Sequence, residues 1–140
     1  TEQFGYGRLP LAFSARCFTA RHYNLQKDDC QFRCLDHPDG LVLTSHEGED
    51  FLAINGIQTQ SSKVMSLAHR FDELAGAGID VLRLSPQAHS MDRVVSVFRA
   101  LANGEMAAAQ APSRLDRLMP AAPCDGYWLG EAGMDYRPAQ

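Results

Sequence analysis

Four thiols carry most of the chemistry this sequence offers: Cys17, Cys30, Cys34 and Cys124. The first three fall within 18 residues, with 12 and 3 residues between them, and Cys124 lies 90 residues beyond Cys34. Thiolate sulfur is a soft donor, suited to zinc, copper(I) or iron–sulfur iron. Cys30 and Cys34 can share one loop or helical turn, and the loop after Cys17 can bring a third thiolate beside them. Iron–sulfur cubanes take four thiolates. Structural zinc also takes four ligands, often from C-x-x-C pairs, and the C-x-x-x-C step here is wider than that. Unpaired cysteines are also common core residues, but Lys27, Asp28, Asp29, Gln31 and Arg33 are poor core material. The polar flanks favour metal or cluster binding over three unrelated packing thiols.

A zinc site needs a fourth ligand, and His22 or His37 can supply it as Cys3His. His46 and His89 are weaker candidates. His69 falls in a helical pattern and is expected to face solvent. Cys124, beside Pro123, reads as a packing or free thiol. No Ser–His–Asp or Cys–His nucleophile set can be assembled, and H-E-x-x-H is missing. His46 and Glu47 suggest an acid–base pair, but neighbours in a strand point to opposite faces.

Over the whole chain, 13 Lys and Arg against 17 Asp and Glu leave a formal net charge of -4. Affinity built on neutralised phosphates needs the opposite balance, so a broadly basic nucleic-acid binder is excluded. No apolar run approaches the roughly 18 residues of a membrane span, and no charged-then-apolar leader is visible. Four cysteines in 140 residues are too sparse for a disulfide scaffold and fit a reducing, cytoplasmic setting. The first residue is Thr1, not Met, and it stands inside a patterned stretch, so the sequence is expected to be a piece of a longer protein.

Several elements must position the thiols. Residues 8–13 (RLPLAF) read as a buried strand leading to Cys17, and residues 18–40 as a polar, irregular segment ending in the turn His37-Pro38-Asp39-Gly40. Residues 41–44 and 51–57 read as strands. Val64, Leu67, Ala68, Phe71, Leu74 and Ala75 fall at helical spacing, with Ser61 or Ser62 as cap. Residues 79–84 form the next strand, and Ser90 caps a helix through Val94, Val95, Val97, Phe98 and Leu101 that stops at Asn103-Gly104. Residues 105–113 look like a linker, 113–119 like a short helix, and the tail from Pro120 like an extended segment. Strand and helix alternating over short links predict parallel pairing and an α/β fold. The organisation read from this is a cysteine segment (1–40), a β-β-α-β-α core (41–104), and a linker with tail (105–140).

The residues resemble a known family at this point. Glu2, Phe4, Gly7, Ser14 and Cys17 stand as in the collagenase-like U-type peptidase family. Its pattern runs Glu-x-Phe-x-x-Gly-x-x-Cys, then Ser-Gly-Arg-Cys, then Cys-x-x-x-Cys-Arg. Here Pro10 replaces the first of those cysteines, Ser14-Ala15-Arg16-Cys17 is the second block, and Cys30-Gln31-Phe32-Arg33-Cys34 the third. The departures resemble one branch of the family, the UbiV branch. They are Pro10-Leu11-Ala12-x-Ser14-Ala15-Arg16-Cys17, Asp29-Cys30-Gln31-Phe32-x-Cys34, the run Asn55-Gly56-Ile57-Gln58-Thr59, the block Arg83-Leu84-Ser85-Pro86, and Gly126-Tyr127-Trp128.

That resemblance implies an iron–sulfur protein. Members of the branch bind a 4Fe-4S cluster and work as a heterodimer with a UbiU-like partner in oxygen-independent hydroxylations of ubiquinone biosynthesis. Carried over, Cys17, Cys30 and Cys34 match three cluster cysteines, with the fourth expected upstream of Thr1. The chain is then the C-terminal half of a TIM-like (β/α) barrel with an extended tail, which needs about 250 residues in full. Arg16 and Arg33, next to ligands, can offset cluster charge or simply solvate the surface. Asn55, Gln58, Arg83 and Ser85 fall at strand ends, where such barrels line their active face, as candidates for binding a quinone-precursor substrate. Turn chemistry is the alternative for each, and the preferred one for Ser85. A peptidase role rests on the family name alone, and a zinc-stabilised binding module is the other alternative.

Overall fold

The computed structural model describes residues 1–138. In chain order it has β1 (Glu2–Phe13), α1 (Phe18–His22), β2 (Leu41–Thr44), β3 (Asp50–Asn55), β4 (Gln58–Ser66), α2 (Phe71–Gly76), β5 (Val81–Leu84), α3 (Met91–Ala102), α4 (Ala111–Leu115), β6 (Pro123–Cys124) and α5 (Gly126–Leu129). Short 3₁₀ turns cover Lys27–Asp29, Arg33–Asp36, Ala68–Arg70 and Ala108–Gln110. The strands form a six-stranded mixed sheet in the order β2-β3-β4-β1-β5, with β6 along β4. No helix among the described residues is long and apolar enough to cross a membrane.

Two compact units divide the chain, residues 8–63 and residues 1–7 with 64–140. In the first, β2 pairs antiparallel with β3 and β3 antiparallel with β4, Asn55 opposite Gln58 across a two-residue turn. Gly56 in that turn has φ 63°, a left-handed conformation that glycine adopts cheaply. The parallel pairing expected of alternating strands and helices does not extend to these three strands, because links this short join only antiparallel neighbours.

In the second unit the start of β1 pairs parallel with β5, Glu2 opposite Val81 and Tyr6 opposite Leu84. β4 and β6 are also parallel. The core gathers Tyr6, Val64, Ala68, Val94, Phe98, Leu101, Ala111 and Leu115. Val94, Phe98 and Leu101 are the buried stripe of α3, as its spacing predicts. Tyr6 lies edge-on to Phe98, centroids 5.8 Å apart, and donates its hydroxyl to Gln87 Oε1 at 2.7 Å.

Four sequence readings are corrected here. The helix expected from Val64 begins only at Phe71, because Val64 and Met65 pair with Pro123 and Cys124 and the Leu67 amide donates to the Gly5 carbonyl at 2.9 Å. A run buried on both faces mimics helical spacing, and periodicity alone does not separate the two. Ser61 and Ser62 therefore cap nothing; their hydroxyls donate to the Lys63 and Asp50 carbonyls. Ser90 sits at the N-cap position of α3 at φ 58° without a side-chain cap bond. The tail is not simply extended: it forms β6 and the short helix α5.

Candidate thiol site

Cys17, Cys30 and Cys34 all lie in the unit of residues 8–63. Each is half-buried and none is in a disulfide. Cys17 is the N-cap of α1, with φ -79° and ψ 108°, and its Sγ accepts the Ala20 amide at 3.4 Å. Sulfur here does what serine or aspartate oxygen does at other helix starts.

The β3–β4 turn fixes this corner. The Ser14 amide donates to the Ile57 carbonyl at 2.8 Å and the Phe18 amide to the Gly56 carbonyl at 3.0 Å. The Gly56 amide donates in return to Thr19 Oγ1 at 3.1 Å. Cys17 is thus held between three bonds to one hairpin tip. Arg16, Cys17, Arg21 and Leu25 line a small hollow.

Cys30 closes the 3₁₀ turn Lys27–Asp29, and its carbonyl accepts the Arg33 amide at 3.3 Å. Cys34 lies inside the turn Arg33–Asp36, where its carbonyl accepts the His37 amide at 3.2 Å. Between them Gln31 and Phe32 both take left-handed backbone, φ 53° and 51°, which costs a side-chain-bearing residue free energy.

α1 packs against the turn Arg33–Asp36, and aromatic contacts join their ends. Tyr23 Oη lies 2.5 Å from His37 Nε2, the two rings stacking with centroids 5.9 Å apart. The Arg33 guanidinium sits 5.5 Å from the Tyr23 ring centre, at cation–π range, and reaches Asp36 Oδ2 at 3.4 Å. His22 meets Tyr23 edge-on at 5.1 Å.

Among the described residues no three His, Cys, Asp or Glu side chains converge on one point as they would around a single ion. A cubane spreads its thiolates, one to each iron. Cys17, Cys30 and Cys34 are free and half-buried, and thiolates are the donor type that such a cluster takes.

A family model described as Peptidase family U32 matches residues 1–131. The chain belongs to peptidase family U32. No solved structure matches it.

Within this U32 chain the other residues singled out from sequence are spread over both units. Asn55 and Gln58 face each other at the ends of β3 and β4, and Gln58 Oε1 accepts from Gln60 Nε2 at 2.9 Å. Arg83, on β5, is exposed and ion-paired with Glu2. Ser85 donates its amide to the Tyr6 carbonyl at 2.8 Å, just past the end of β5 and beside the Tyr6–Leu84 pair. His46 and Glu47 stand in an exposed turn, not a strand.

His69 corrects its reading outright. It is buried, and its Nε2 lies 3.1 Å from Asp125 Oδ2 and 3.1 Å from the Arg137 carbonyl. Asp125, also buried, accepts Arg70 Nε at 2.8 Å and the Arg137 amide at 2.8 Å. Burial alone lowers the Arg70 guanidinium, but hydrogen bonds to Asp125 and Glu73 outweigh it and hold the group above its ordinary value. This network ties the tail to α2, and a single sequence shows no pattern for a partner 56 residues away. Cys124, next to it, is buried and in no disulfide.

Proposed function

We propose that this chain is an iron–sulfur protein of the UbiV type, acting with a UbiU-like partner in the oxygen-independent hydroxylations of ubiquinone biosynthesis. The observation that carries the reading is the set of three free thiols, Cys17, Cys30 and Cys34, on successive turns of one unit in a U32 chain. Those three residues would hold a 4Fe-4S cluster, with a fourth cysteine expected from an upstream half. On this reading the chain is the C-terminal half of a TIM-like (β/α) barrel; the parallel β1–β5 pair supports that, and the antiparallel β2–β3–β4 lies outside the barrel pattern.

When bound, a cysteine-held cluster supplies electron transfer, which hydroxylation without dioxygen requires. The protein's own groups set its surroundings. Arg16 and Arg21, which share a hollow with Cys17, would offset negative charge there, and the Gly56–Ile57 turn holds the backbone on either side of Cys17. The quinone precursor and a cytoplasmic location complete the proposal.

Anaerobic purification of the whole protein should give a brown solution with iron and sulfide near about four each per chain. Alanine at Cys17, Cys30 or Cys34 should strip the cluster, and alanine at Cys124 should not. A colourless, zinc-loaded protein overturns the reading in favour of a binding module.

A further inference from the structure

We propose that a hollow beside the buried His69 is a binding site for a small primary ammonium ion with a short apolar body, the His69 Nδ1 lone pair accepting one of its N–H bonds. This site is independent of the thiol reading, since every residue it uses lies in the unit of residues 1–7 and 64–140.

The bonds around His69 decide what its ring offers. The His69 side chain is 1% exposed, and that of Asp125 is fully buried. Nε2 faces two oxygens, Asp125 Oδ2 at 3.1 Å and the Arg137 carbonyl at 3.1 Å. A carbonyl only accepts, and Asp125 already accepts Arg70 Nε and the Arg137 amide, so Nε2 carries the hydrogen. In the uncharged ring Nδ1 is then a bare acceptor, and no group among the described residues bonds to it. Nor is it sealed in protein: among the described residues, Arg8 Nε is the one enclosed side-chain polar atom without a partner. Nδ1 therefore opens onto free space.

Two hollows flank His69. The larger, of about 730 Å³, is lined by Arg70 and Arg137, the residues around Nε2. The smaller, of about 310 Å³, is lined by Ser66, Leu115, Asp116, Met119 and Tyr136, and neither Arg70 nor Arg137 reaches it. Nδ1, turned away from that pair, faces the smaller hollow. The polar groups there can all accept: Nδ1, the exposed Asp116 carboxylate, and the hydroxyl oxygen of Ser66, itself 5% exposed. No Lys or Arg lines this hollow among the described residues, so an anion would meet a carboxylate and no cation. An ammonium brings three donors and no acceptor, and three acceptors offset the cost of taking its charge out of water. Burial, with Asp125 nearby, holds the Tyr136 phenol above its ordinary value, so it adds no second negative charge. Leu115 and Met119 supply the wall for the apolar body, and the Tyr136 ring stands edge-on to His69 with centroids 5.3 Å apart.

The test is an NMR titration of the whole protein, isotope-labelled at histidine nitrogens and methionine methyls, with n-butylammonium, n-butanol and n-butyrate as probes. Before any probe is added, the His69 ring should show a protonated Nε2 and a bare Nδ1. n-Butylammonium should move the Nδ1 resonance and the Met119 methyl saturably, binding at least about tenfold more tightly than n-butanol or n-butyrate. Asp116→Asn and Ser66→Ala should each weaken it by at least about threefold. His69→Gln keeps a donor for Asp125 but removes the Nδ1 lone pair, so the Met119 shift should vanish while Trp128 emission stays as in wild type. Where that emission changes, the tail has moved, and Asp116→Asn and Ser66→Ala decide. A protonated Nδ1 overturns the proposal, as does the lack of any saturable shift. Binding of n-butanol or n-butyrate as tight as that of n-butylammonium overturns it too. So does an affinity for n-butylammonium that neither Asp116→Asn nor Ser66→Ala changes.

Discussion

The Gly56 amide donates to Thr19 Oγ1 at 3.1 Å, and with the Phe18 amide on the Gly56 carbonyl this bond joins the tip of the β3–β4 hairpin to the first turn of the helix that Cys17 caps. Thr19 is 2% exposed and Gly56 is half-buried. Replacing Thr19 by Val keeps the shape and removes the acceptor of the Gly56 amide. That costs about 0.5–1.5 kcal/mol, the net worth of an ordinary hydrogen bond. Chemical denaturation should show the loss, and the Cys17 thiol should react faster with a thiol reagent as its corner loosens. A Thr19→Val chain as stable and as slow to react as wild type contradicts this account of how Cys17 is held.

Glu73 gives a pH prediction. The Trp128 indole donates to Glu73 Oε2 at 3.1 Å, and this bond, with the Arg70 ion pair, holds the carboxyl below its ordinary value of 4.5 despite some opposing burial. A carboxyl lowered on folding adds stability above its unfolded value, and that stability is lost as pH falls through the folded one. In Trp128→Phe the Glu73 titration, followed by NMR, should move up towards 4.5. The variant should also lose less stability than wild type when acidified below that point. A Glu73 titration that does not move sets the indole bond aside as the cause.

How much of this was legible in the sequence divides along a physical line. The stripe of α3, the turn at Asn55-Gly56 and the three thiols were readable because each is a local pattern: a 3.6-residue period, a turn dipeptide, a donor type at close spacing. The start of α2 was not, since Val64 to Ala68 is buried on both faces and its bonds go to β1 and β6. His69 read as solvent-facing because its partner Asp125 stands 56 residues away, and Tyr23 drew no notice because its packing depends on a stack with His37. The antiparallel pairing of β2, β3 and β4 follows from links too short for a crossover, a length criterion that alternation of elements overrode.

Gly126 tests the tail. A Cβ built there would lie 1.8 Å from the Ala132 carbonyl oxygen, a backbone atom that cannot rotate away. Gly126→Ala should therefore displace α5, which carries Trp128, the chain's single tryptophan. Its fluorescence should shift to the red, and thermal stability should fall by an amount in the range of about 1–3 kcal/mol expected for forced overpacking. Unchanged emission and melting would mean that the tail does not pack as described.

Gln31 and Phe32 carry the last prediction. Two successive left-handed residues at φ 53° and 51° reverse the chain between Cys30 and Cys34, and neither is glycine. Such a conformation costs an L-residue roughly 1–2 kcal/mol, whereas glycine adopts it freely at an entropic cost of about 0.5–1 kcal/mol. Gln31→Gly forfeits only an exposed contact to Arg33 Nη2 at 3.3 Å. The balance favours the variant by about 0.5–1 kcal/mol, measurable as a raised denaturation midpoint of the metal-free chain. Strain of this kind persists where the surroundings dictate the backbone, and at this place the strained pair sits between two proposed ligands. If the turn is shaped for the thiols, Gln31→Gly should raise the stability of the chain without lowering its capacity for iron and sulfide. A destabilised Gln31→Gly chain would mean that the left-handed turn is not what the backbone adopts.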